Sequence, residues 1–112
     1  MLRIEGFRAK YASGEPVEVR KGTYRNGEIA LVMIDANDGE QLCRPTLNLE
    51  EYGEHPREGH VFIKTYSENE GVLEGLQKAG VVGEPVRLLD VGYVHNGAAE
   101  VPLLKADEMA EL

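Results

Sequence analysis

Four groups of side chains in this chain are of types that can do chemistry. The densest is Glu68, Glu70 and Glu74, with Ser67 and Asn69. Paired carboxylates can serve as general acid and base, provided that burial drives their pKa values apart. Cys43 with His55, His60 and His95 supplies the residue types of a zinc site or a cysteine nucleophile. Structural zinc sites use close ligand pairs, and no Cys-x-x-Cys or His-x-x-x-His occurs. A nucleophilic cysteine needs a local base and an oxyanion site, of which the sequence gives no sign. In an alternating strand, Cys43 reads as a small buried hydrophobe. Asp35, Asn37, Asp38 and Gly39 approach a calcium loop, but the spacing is one residue short and Thr46 stands where the bidentate glutamate belongs. A hairpin turn accounts for them without a metal. Gly71, Gly75 and Gly80 lie within and after a helix rather than before one, and no Lys-Ser/Thr follows, so they do not make a phosphate loop. Catalytic residues, metal ligands and cofactors are therefore all assigned as none.

The elements that must position these groups are organised around Lys64–Gly80. Ser67 has the place of an N-cap and Glu70 that of its capping-box partner. Glu68 and Glu70 put negative charge in the first turn, where the helix dipole favours it. Val72, Leu73, Leu76 and Ala79 recur at helical spacing, and Gly80 stands where a left-handed stop is expected. The spacing predicts a helix over about 68–79, with Gly75 allowing close approach to a sheet at a cost of about 1 kcal/mol relative to Ala. On such a helix Glu70 and Glu74 share one solvated face and repel weakly. Tyr66 would staple onto the first turn.

Elsewhere the chain reads as strands. Leu2, Ile4 and Phe7 alternate with charges, as do Val17 and Val19. Asn26-Gly27 favours a two-residue turn into Ile29–Ile34, whose unbroken apolar run marks a central strand. Asp35–Gly39 turns the chain into Gln41–Leu49, which Pro45 makes bulged or an edge. The stretch from 50 to 60 is a charged loop with no core. Val61–Ile63 feeds the helix, and Val86–Tyr93 is a further strand. His95-Asn96-Gly97 signals a turn, Val101–Leu104 a last strand that Pro102 pushes to an edge, and the closing KADEMAEL a frayed helix. The sum is one α+β domain over 1–112, a mostly antiparallel curved sheet of five to seven strands packed on one helix.

The length suits one core. No apolar run is long enough to span a bilayer, and the start lacks the continuous apolar core of a signal peptide. One cysteine excludes an internal disulfide, and the plain expectation is a cytoplasmic protein. Residues 1–44 hold seven basic and seven acidic residues; residues 45–112 hold five and thirteen, and so carry the whole net charge of −8. Such a field repels phosphate backbones and argues against direct nucleic-acid binding. It attracts a basic protein surface, or serves solubility alone.

The run Tyr66-Ser67-Glu68-Asn69-Glu70-Gly71 resembles a domain-of-unknown-function family of small proteins from bacterial plasmids, integrative elements and phages. The likeness takes in Asp35–Glu40, Thr46–Leu49, Val61–Ala79, Gly92-Tyr93-Val94 and Val101-Pro102. It implies an accessory protein of a mobile element and carries no catalytic residue or cofactor. With the skewed acidity, the expectation is a non-enzymatic protein that binds a partner's basic surface through Glu68, Asn69, Glu70 and Glu74. One form is a counter-defence inhibitor, anti-CRISPR or anti-restriction, covering the nucleic-acid groove of a host nuclease complex. The competing expectations are a small enzyme using Glu68/Glu70/Glu74, or Cys43 with a histidine, and a homodimer formed through an exposed strand edge.

Overall fold

The computed structural model describes residues 1–112. Eleven strands and one short helix follow one another along it: β1 (Leu2–Ile4), β2 (Arg8–Ala9), β3 (Ala12–Ser13), β4 (Val17–Thr23), β5 (Ile29–Asp35), β6 (Gln41–Cys43), β7 (Thr46–Leu47), β8 (His60–Lys64), α1 (Val72–Lys78), β9 (Arg87–Val91), β10 (Val94–Pro102) and β11 (Ala110–Glu111). The fold is mostly antiparallel sheet with one helix. The strands divide between two sheets where the sequence suggests one. The first has the order β1-β4-β5-β6, with β11 added in parallel to β4; the second has the order β7-β8-β10-β9. β2 and β3 form a separate two-stranded ribbon.

Pro45 explains the division. The stretch Gln41–Leu49 is broken at Arg44-Pro45, and the chain passes there from the edge of one sheet to the edge of the other. A residue without an amide suits a corner at which neither ladder continues. The Pro45 carbonyl still accepts from the amide of Lys64, at 2.8 Å, which ties the corner to β8. Leu31 and Met33 of β5, Val17 and Val19 of β4, Val61 and Ile63 of β8, and Ala99 and Val101 of β10 meet in one core with Val72 and Leu76 of the helix. β5 is buried from Leu31 to Ile34, as its unbroken apolar run requires. The Asn26-Gly27 hairpin forms with a three-residue turn, since Tyr24 and Glu28 already pair through a 2.8 Å bond.

Several sequence expectations are corrected. The helix begins at Val72 rather than Glu68, because Ser67–Asn69 is a separate 3-10 turn and Gly71, at φ 86°, is the residue that enters the helix. Ser67 itself, left-handed at φ 58°, stands four residues before that entry, and no side chain bonds a free amide of the first turn, so no capping box forms. The C-terminal stop is as expected: Gly80, at φ 73°, donates to Gln77 and Val81 donates to Leu76, a Schellman ending. Gly75 is indeed a close-packing position, but its neighbour is the Phe7 ring rather than a strand. A Cβ there would lie 2.6 Å from Phe7 Cε2.

The remaining corrections concern the C-terminal third. His95-Asn96-Gly97 is not a turn; the chain turns at Gly92-Tyr93, and residues 94–102 form one long strand at the centre of the second sheet. The polar triplet is absorbed as an irregularity between the Val94–Val91 and Ala98–Leu89 pairs, with Asn96 at φ 53°. Pro102 closes that strand and guards no edge. The tail is no helix: Ala106–Glu108 makes one 3-10 turn, buried Met109 plugs the core, and β11 pairs with Arg20 and Lys21.

Candidate interaction surface

The predicted cluster comes apart in three dimensions. Asn69 is fully buried; its amide nitrogen donates to the Arg44 carbonyl at 2.8 Å, pinning the 3-10 turn to the sheet-switching corner. It therefore leaves the set of residues that a partner could touch. Glu68 accepts from Lys64 at 2.6 Å, and Lys64 also sits 4.9 Å from the centre of the Tyr66 ring. The bond from Lys64, helped by the Glu68 amide and the Ser67 hydroxyl, holds the Glu68 carboxyl down at about 2. Glu70 lies outside the helix, 3.9 Å from Lys10, so the expected repulsion with Glu74 along one helix face does not arise. Glu74 alone is exposed and free of a basic partner.

The three carboxylates do not share a cavity. Glu68 borders a narrow apolar crevice with Cys43, Tyr11 and Leu42, while Glu74 lines a separate groove between the N-terminal segment and α1. Desolvation, with the Glu68 charge beside it, pushes the Cys43 thiol up to about 11. The histidines are dispersed: His55 bonds Glu28, His60 bonds the Glu58 carbonyl, and His95 bonds Asp90. No group of three His, Cys, Asp or Glu side chains is arranged to hold a metal ion. In the 35–40 turn, the Asp35 and Asp38 carboxylates accept from the amides of Asn37 and Glu40, each at 2.8 Å, so both serve the turn itself.

The structure brings together a different set, which sequence reasoning missed. Glu100, in the middle of β10, has no exposed surface. One of its oxygens accepts from Arg87 Nε at 2.8 Å and the other from the Arg57 amide at 2.9 Å. Burial alone would raise the Glu100 pKa; the Arg57 amide and the Arg87 guanidinium together outweigh it and hold the carboxyl below its ordinary range. Arg87 spends its remaining nitrogens on Glu54, at 3.0 Å, and on the His55 carbonyl, at 3.2 Å. From the turn before β5, Glu28 bonds His55 Nδ1 at 2.6 Å and thereby raises the His55 pKa. The amide of Leu103 donates to Gly59 at 2.9 Å. The only available signal was a glutamate at an inward position of an apolar strand, and neither Arg87 nor residues 54–57 are near it in sequence.

All these bonds converge on the segment Glu50–Gly59. It is a loop, as its composition predicts, but one fastened at Glu28, Arg87, Glu100 and Leu103. A 3-10 turn at Glu50–Tyr52 opens it, and the Asn48 side chain accepts from the Glu50 amide at 3.0 Å. The inward bonds leave Glu50, Glu51 and Glu58 outward, exposed and with no basic side chain within 4.0 Å. Tyr52, next to Glu50 and Glu51 along the chain, has 54% of its surface exposed. Comparison with known proteins finds no matching family model, no similar curated protein and no similar solved structure.

Proposed function

We propose that this chain is a non-enzymatic binding protein that lays a pre-shaped acidic surface on a basic surface of a protein partner. The observation that carries the reading is the fastened loop Glu50–Gly59, which carries three unpaired carboxylates and an exposed tyrosine. Tyrosine is a favoured interface anchor, because it offers large area for little lost rotamer freedom. Holding the loop through Arg87 and Glu100 means that little ordering remains to be done on binding. Unpaired carboxylates steer encounter with a cationic surface and are screened by salt. The contact set proposed is thus Glu50, Glu51, Tyr52 and Glu58, in place of the Glu68, Glu70 and Glu74 cluster, two of whose carboxylates are already paired with Lys64 and Lys10.

The resemblance around Tyr66–Gly71 adds the context of a mobile element. In that context the partner is a host nuclease complex in the cytoplasm, and the protein is an anti-CRISPR or anti-restriction inhibitor that covers its nucleic-acid groove. No helix of the chain is long and apolar enough to cross a membrane. The test is a pull-down against purified host nuclease complexes at low and high salt. Binding should weaken steeply with salt, and a Glu50→Gln/Glu51→Gln/Tyr52→Ala variant should bind at least tenfold more weakly. Binding indifferent to salt, or to those three changes, overturns the proposal.

One observation favours a second reading, a homodimer through a sheet edge. β9 is a free edge of the second sheet, and Leu88 within it and Val86 just before it are 49% and 44% exposed. Neither proline protects this edge, since Pro45 marks the corner and Pro102 ends a central strand. Light scattering that gives twice the chain mass, reduced to one by Leu88→Lys, decides for it.

A further inference from the structure

The fastenings of the acidic loop differ in what they ask of pH. Toward the second sheet, Glu100 holds the Arg57 amide, and Arg87 joins Glu100 to Glu54 and to the His55 carbonyl. Arginine keeps its charge throughout, and carboxylates give theirs up only in acid, so these bonds are indifferent to pH near neutrality. Toward the turn between β4 and β5, the one charged link is His55 Nδ1 to Glu28, at 2.6 Å. The bond beside it, from the Asn48 amide group to Asn26 at 3.0 Å, is uncharged. Histidine is the side chain that changes charge between about pH 5 and pH 8.

His55 stands among carboxylates. Glu28 meets it from the turn before β5, and Glu50 and Glu54 act on it from its own loop. Arg87 of β9 is the other charged group there, but it reaches the carbonyl of His55 and directs its charge at Glu100 and Glu54. The Glu28 side chain is only 15% exposed, and its second oxygen, Oε1, is buried with no hydrogen-bond partner. His55 is the one basic side chain within 4.0 Å of it. Once His55 is neutral, Glu28 is a largely buried anion without a cation, and two like charges flank the imidazole. An unpaired charge in that position is unfavourable, and it is relieved when the carboxylate turns out to water and leaves the loop.

We propose that His55 and Glu28 form a pH-operated clasp: the protonated imidazole holds the acidic loop against the β4–β5 turn, and loss of that proton in the neutral range loosens the loop from the turn, while Arg87 and Glu100 still hold it to the second sheet. The raised pKa of His55 gives the direction, since the clasp is closed below the folded value and opens as pH rises through it. His60, at the far end of the loop, takes no part. Its Nδ1 donates to the Glu58 carbonyl, a bond that a neutral imidazole also makes. As a control on partner binding the clasp rests on the reading above, because Glu50, Glu51 and Tyr52 lie on the part that it steadies. As a property of the loop it is tested on the free protein, so the two can fail separately.

The experiment is hydrogen exchange of the full chain, read amide by amide from about pH 5 to pH 8 and corrected for the intrinsic pH dependence of exchange. The reporters are the amides of Tyr52, Gly53 and Glu54, which donate to the Leu49 and Glu50 carbonyls, and that of Gly27, which donates to Tyr24. Their protection should fall severalfold along the titration curve of the His55 imidazole, followed in the same samples by NMR. The amides of Arg57 and Leu103, bonded to Glu100 and Gly59, should hold their protection. His55→Gln can still donate to Glu28 but carries no charge, and its reporters should be weakly protected at every pH. His55→Lys, charged across the range, should stay protected at about pH 8. The His55 side chain is 54% exposed, so both variants should fold. Protection that does not follow the His55 titration, the same pH-dependent loss in His55→Gln, or an equal loss at Arg57 and Leu103 would each overturn the clasp.

Discussion

Replacing Glu100 by glutamine tests the fastening of the acidic loop most directly. The two carboxylate oxygens divide their work, Oε1 accepting from Arg87 Nε at 2.8 Å and Oε2 from the Arg57 amide at 2.9 Å. Glutamine has nearly the same shape but one acceptor, so its NH₂ must face one of those donors. A hydrogen bond to a charged group contributes about 1.5–3 kcal/mol, and a neutral one about 1 kcal/mol. One bond is lost and the other is reduced to the neutral kind. The Arg87 side chain is 34% exposed, so water relieves part of the loss. The expected destabilisation is therefore about 2–3 kcal/mol, measured as a lower urea midpoint with an unchanged slope. Hydrogen exchange at the Arg57 amide should accelerate with it. The acid limb supplies an independent check. Because the folded-state pKa of Glu100 lies below its ordinary value, its contribution is present above that value and is lost as pH falls through the folded one. Glu100→Gln should remove this part of the parent's acid destabilisation. A loss under about 0.5 kcal/mol, with the Arg57 amide as protected as before, would refute the argument.

Three further outcomes follow from the geometry. Gly75→Ala gains about 1 kcal/mol of helix propensity but sets a methyl 2.6 Å from the Phe7 ring, and overpacking costs about 1–3 kcal/mol. Its melting temperature should fall and recover when Phe7→Leu is added; a simple rise would mean that the ring slides aside. Cys43, with its thiol at about 11, should react with alkylating reagents roughly hundredfold more slowly at neutral pH than an ordinary thiol, and at the ordinary rate once unfolded. A fast reaction in the folded state contradicts the burial. His55 has a raised pKa, so its bond with Glu28 stabilises most below the ordinary histidine value and is lost as pH rises through the folded value. The stability gap between the parent and His55→Gln should thus narrow from about pH 5 to pH 8; a constant gap would show that the charge plays no part.

By itself the sequence determined what depends on neighbours along the chain. Alternation placed β1 and β4, the apolar run placed β5, Asn26-Gly27 placed the β4–β5 hairpin, and Gly80 placed the end of the helix. Each of these follows from side-chain period or from a local backbone preference. Tertiary structure decided the rest. The helix start looked well specified by Ser67 and Glu70, yet Asn69 reaches Arg44, twenty-five residues away, and that bond belongs to a turn rather than a helix. His95-Asn96-Gly97 has the composition of a turn, but Asp90 accepts from the Asn96 amide and lets the strand run on as an irregularity. The acidic residues were legible as a surplus and not as a surface. Which carboxylates are neutralised depends on which lysine or arginine the fold carries beside them. That is how Glu68 and Glu100 become structural while Glu50, Glu51 and Glu58 stay free. Charge acts through space, and its partners are chosen by strand pairings that close far apart in sequence.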